Sequence, residues 1–74
     1  MAKLIIMDAS GDTEVAFERS NAASVKAAMD RFDELVRDQK HWAYRSEKDG
    51  SKTAIKSFDR EAEEILIHPQ MIGG

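Results

Sequence analysis

Cysteine is absent from the 74 residues and proline occurs once, at Pro69. Without cysteine the chain has no disulfide framework, no thiol nucleophile and no thiolate metal site, which fits a cytosolic setting. Long apolar runs are missing too. Leu4-Ile5-Ile6-Met7 stops at Asp8, too short for the apolar region of a signal peptide and far too short to span a bilayer. Nor is there an excess of positive charge: 11 Lys and Arg stand against 14 Asp and Glu, for a formal charge of −3. Phosphate-backbone binding draws its affinity from clustered Lys and Arg, so nucleic acid is not an expected partner.

What is present suits one small domain. At 42% hydrophobic residues the chain fills a single core and has no room for a second one. Leu4 to Met7 is a branched apolar run, and Thr13-Glu14-Val15-Ala16-Phe17-Glu18 alternates polar with apolar. With Asp8-Ala9-Ser10-Gly11-Asp12 between them, they read as two strands of a hairpin around a glycine-containing loop. Ser20-Asn21 supplies a side chain that accepts from a free N–H of a helix's first turn. Val25, Ala28, Met29, Phe32, Leu35 and Val36 then recur at spacings of three and four, giving a helix over residues 22–40 with one apolar stripe. Its opposite face carries Lys26, Asp30, Asp33, Arg37 and Asp38, with Lys26/Asp30 and Asp33/Arg37 placed as ion pairs four apart.

Beyond the helix, residues 41–46 and 52–58 flank Glu47-Lys48-Asp49-Gly50-Ser51, and Asp-Gly between two β-prone runs marks a second hairpin. Asp59 to Glu64 is a polar turn, and Ile65 to His68 is a last strand closed by Pro69, which cannot donate to a central ladder. The expected order is β-β-α-β-β-β. One helix crosses a mixed sheet of four or five strands, with Val25, Met29, Phe32 and Leu35 buried against Leu4, Ile6, Val15, Phe17, Ile55 and Ile65 or Ile67. The apolar last strand needs cover, which places it inside the sheet next to the amino-terminal strand.

Enzyme chemistry finds little support. Asp8 and Ser10 would need a nearby histidine and a nucleophile elbow that the chain lacks. Ser10-Gly11-Asp12-Thr13 lacks the glycine frame and the lysine of a phosphate loop. His41 and His68 have no second ligand at a metal-binding spacing, so no metal is expected. Trp42 and Tyr44, two apart, share one strand face. They either pack on the sheet or, if that face is solvated, anchor a partner, as Trp and Tyr do at interface hot spots.

The chain ends Ile65-Leu66-Ile67-His68-Pro69-Gln70-Met71-Ile72-Gly73-Gly74. At an average glycine frequency of about 7%, two in the last two places is roughly a 0.5% coincidence. Lacking Cβ atoms, such an end enters a narrow channel in many backbone conformations; the bland alternative is a frayed terminus.

The element order and residues 62–74 together resemble the β-grasp superfamily of ubiquitin and the sulfur carriers, in particular the small-subunit type of molybdopterin synthase. Two features differ from those carriers: Met71-Ile72 is bulkier than the small residues usual there, and the Trp42 to Phe58 segment has no counterpart. The resemblance implies a single α+β, β-grasp domain over residues 1–70 and a flexible tail at 71–74. It also implies that the protein is a substrate and not an enzyme. A partner activating enzyme, using ATP and Mg²⁺, would adenylate the carboxylate of Gly74 for conversion to a thiocarboxylate or a conjugate. Gly73 would keep the tail thin, and Met71 and Ile72 would hold it against the partner, an activating enzyme or an acceptor protein. The expected protein is a cytosolic monomer with no intrinsic cofactor and no membrane contact. The alternative is an unconjugated β-grasp adaptor or assembly protein of the kind that phages and prophages encode.

Overall fold

The computed structural model describes residues 2–8 and 11–69. The order is β1 (Ala2–Asp8), β2 (Gly11–Phe17), α1 (Ala22–Asp33) continued by a π-helical turn (Glu34–Asp38), β3 (Trp42–Ser46), β4 (Lys52–Ile55) and β5 (Glu64–His68). The fold is α+β: one helix against a five-stranded mixed sheet ordered β2-β1-β5-β3-β4. β5 lies at the centre, parallel to β1 with Ile6 opposite Ile67, and antiparallel to β3 with Ala43 opposite Ile67. Its apolar run therefore has a strand on each side, next to the amino-terminal strand as its composition requires.

The first hairpin is longer than its sequence signals suggest, since pairing continues out to Asp8 opposite Gly11. Gly11 has φ +124°, a backbone conformation that L side chains rarely adopt. The second hairpin closes through Glu47 and Ser51, with the Gly50 N–H donating to the Glu47 carbonyl at 3.1 Å and Gly50 at φ +91°. This matches a three-residue loop whose last residue must be left-handed.

Asn21 is the residue that caps α1, its Oδ1 accepting the Ser24 N–H at 3.1 Å. The helix departs from the expected uniform coil at Glu34, where the Gln39 N–H reaches back five residues to the Glu34 carbonyl. The wider coil ends with Lys40 at φ 60° and the His41 N–H donating to the Leu35 carbonyl at 2.9 Å. Lys26 and Asp30 pair at 2.9 Å, whereas Asp33 and Arg37 do not. Arg37 lies in the π turn, where residues four apart are no longer stacked one above the other, and Arg31 instead meets Glu34 at 2.9 Å.

Leu4, Ile6, Phe17, Phe32, Leu35, Ile65 and Ile67 form the core together with Ala2, Ala28, Ala43 and Ala62. Val15, Val25 and Ile55 are only partly buried, and Met29 is exposed. Met29 sits about 100° round the helix from Ala28, beyond the edge of the stripe. β4 stops at Ile55 and does not run to Phe58, because the chain leaves the sheet there to deliver the Phe58 ring to the core. That ring lies 5.2 Å from Phe17 and 5.9 Å from Phe32, centroid to centroid. The turn that follows is fixed by Asp59, whose Oδ1 accepts the Glu61 N–H at 2.9 Å, and by Arg19, which donates to the carbonyls of Arg60 and Glu61. Among the described residues no helix is long and apolar enough to cross a membrane.

Candidate functional site

Alternation along the strands sends Leu4, Ile6, Ile65, Ile67 and Ala43 toward the helix, so their neighbours Ile5, Leu66, Tyr44 and Trp42 point to the other face. No element covers that face among the described residues. Strand register sets its side chains in rows. Ile5 is opposite Leu66, Leu66 opposite Tyr44 and Tyr44 opposite Ala54, an apolar row across four strands. The next row pairs His68 with Trp42.

The rings of Tyr44 and His68 are stacked, with 5.5 Å between centroids and 8° between planes, and Trp42 tilts against the same imidazole at 5.9 Å. His68 Nδ1 is 3.0 Å from the Pro69 carbonyl, which holds the ring in place when that nitrogen carries its proton. Tyr44 and His68 are half-buried, but Trp42 is 50% exposed and, with Met29, is one of two exposed large apolar side chains among the described residues. Trp42 and Tyr44 therefore do lie together on a solvated face. Charge lies at its borders: Glu14 is opposite Ile5 on the β2 side, Lys52 is opposite Ser46 on the β4 side, and Lys3 is opposite Glu64 in the row at one end of the strands. Such an apolar centre with a charged rim is the composition of a docking surface.

Sequence reading missed His68 as a member of this cluster. Its partner Tyr44 is 24 positions away in the chain, and only the pairing of β5 with β3 joins them. Gly73, Gly74, Met71 and Ile72 lie outside the described residues. β5 ends at His68 opposite Trp42, and Pro69 is the last described residue.

A second cluster of charges occupies the far end of β3, on the helix side. Arg45 donates to Glu47 Oε2 from Nε at 2.9 Å and from an Nη at 2.7 Å, and to Asp59 Oδ2 at 2.7 Å. The Thr53 hydroxyl donates to the same Glu47 oxygen at 2.7 Å. Glu47 is held below its ordinary titration range by the Thr53 hydroxyl first and by Arg45 second; Asp59 is lowered chiefly by the Arg45 guanidinium. Every charge here already has its partner, so the cluster ties the β3–β4 loop to the turn at residue 59 and offers no free acid or base. Among the described residues no three His, Cys, Asp or Glu side chains gather as a metal site.

No family model, no curated protein and no solved structure matches the chain. The functional reading rests on the residues themselves.

Proposed function

We propose that the chain is a small β-grasp, ubiquitin-like carrier or modifier, activated at the carboxylate of Gly74 and recognised through the open face of its sheet. The observation that carries this reading is the position of β5. This strand, at the centre of the sheet, ends at His68 opposite the exposed Trp42, and in our reading the partner that seats on this cluster is the one that engages the tail.

Activation converts a carboxylate, a poor acyl donor, into a mixed anhydride with AMP, releasing pyrophosphate. Sulfide attack on the Gly74 carbonyl carbon expels AMP and leaves a thiocarboxylate; attack by an enzyme thiolate instead gives a thioester, from which an acceptor amine displaces the thiolate to form an isopeptide. Gly74 carries the acyl group, and Gly73 keeps the approach thin enough for an enzyme channel. Met71 and Ile72 give the tail apolar purchase on the partner, while Trp42 and Tyr44 dock the folded body. The protein itself is the substrate, with ATP and Mg²⁺ belonging to the activating enzyme.

Intact-mass analysis of protein recovered from its native cytoplasm tests this. The expected product is the full chain carrying one oxygen-to-sulfur exchange or an isopeptide-linked acceptor. A native population with only the unmodified Gly74 carboxylate points instead to an unconjugated adaptor. The exposure of Trp42 favours that second reading equally, because a docking face works without any tail chemistry.

A further inference from the structure

β4 runs only from Lys52 to Ile55, and its last pair with β3 is Ile55 opposite Ala43. The sheet is therefore notched beside Trp42, and the π turn ends over the notch. The result is a cleft of about 590 Å³ whose wall includes Trp42, Tyr44, Ala54 and Ile55, and whose rim is Arg37, Lys40 and Lys56. No carboxylate lines it. None of these three cations makes an ion pair with a carboxylate among the described residues, where all the pairs involve Lys3, Lys26, Arg31 and Arg45. In a chain of net charge −3, three unpaired cations around an apolar floor are a local reversal of sign.

We propose that this cleft binds an extended, acidic segment of a protein partner, which adds to the β4 edge as a further strand, seats one large apolar side chain against Trp42 and Ala54, and places carboxylates against Arg37, Lys40 and Lys56. β4 is a terminal strand of the sheet, so its outer backbone groups are free to pair with such a segment. Charge complementarity sets the sign of the partner. Three cations in one compact cluster recognise a few carboxylates; a nucleic acid strand draws its affinity from a longer track of charge. The cleft stands whether or not Gly74 is activated, and its failure would leave the tail chemistry untouched.

The test is a titration of the ¹⁵N-labelled full chain with the blocked peptide acetyl-Glu-Asp-Leu-Phe-Asp-Glu-amide at about 0.15 M salt, where exposed charges more than about 8 Å apart are screened. Saturable shifts are expected at the Trp42 indole and at Arg37, Lys40, Ala54 and Lys56. The analogue with Gln and Asn in place of the acids should bind at least tenfold more weakly, as should the acidic peptide to the chain carrying Lys40→Glu and Lys56→Glu. Both positions are exposed, and an unchanged amide spectrum elsewhere shows that the variant is folded. No saturable shift, equal binding of the neutral peptide, or shifts confined to Ile5 and Leu66 would overturn the proposal. So would tighter binding of an oligothymidylate at the same residues, or the same shifts arising simply from removing residues 70–74, which would assign the cleft to nucleic acid or to the chain's own end.

Discussion

The two faces of the sheet use the same strands and much the same residue types, yet they are filled in opposite ways. Toward the helix, Leu4, Ile65 and Ile67 are fully buried, and the Phe58 ring packs edge to face with Phe32 and tilted against Phe17. On the other side Ile5, Leu66 and Tyr44 shield one another only in part, and Trp42 remains half exposed. An antiparallel sheet with one wet face ordinarily alternates apolar with polar. Here the wet face keeps apolar and aromatic side chains at its centre and pushes charge to its borders. Burial and exposure are thus set by alternate positions along a strand: Ile67 lies in the core while its neighbours Leu66 and His68 lie on the open face.

Substitutions on opposite faces sharpen this contrast. The largest effect belongs to Ile67→Asp, which places an unpaired charge in the centre of the core and unfolds the domain; a native far-ultraviolet circular dichroism spectrum for this variant would contradict the placement of β5. Phe32→Ala comes next. It removes a ring buried between helix and sheet, for an expected loss of about 3–5 kcal/mol in chemical denaturation. A loss below about 1 kcal/mol would mean that the covered face is not the core. On the open face Trp42→Ala should cost under about 1 kcal/mol while weakening any partner that docks there by tenfold or more, as removal of an aromatic anchor does.

Asp59→Asn tests the charge cluster, with a loss of about 1 kcal/mol at neutral pH. Its sign against pH follows from the direction of the shift. The Asp59 carboxylate is lowered in the folded state, so its stabilisation is present above the ordinary carboxylate range near pH 4 and fades as the pH falls through the depressed value. The gap in melting temperature between the parent chain and Asp59→Asn should close below about pH 4. A gap that persists in acid would mean that Asp59 acts only through its turn geometry.

The elements that the sequence makes legible are those specified by local pattern. The stripe of Val25, Ala28, Phe32 and Leu35 marks the helix, Asp49-Gly50 marks the second hairpin, and the apolar run at Ile65 predicts the central strand. Features that depend on distant partners are not legible in this way. Phe58 leaves its strand to meet Phe17 and Phe32, and Arg45 finds Asp59 across a loop. The imidazole of His68 acquires its stacking partner from a register between β5 and β3 that neither segment encodes alone. The π turn at Glu34 likewise has no periodic signature in a stretch of five residues. Trp42 and Tyr44 were legible as one face of a strand, and the missing cover of that face is a tertiary fact.

The most direct measurement compares the full chain with a chain ending at Ile72 in two assays run side by side, thermal melting and ATP-dependent activation by the cognate adenylating enzyme. On the proposed function the two glycines serve tail chemistry and not folding, so the account predicts coincident melting curves and complete loss of activation in the shorter chain. Activation retained without Gly73 and Gly74 would contradict it.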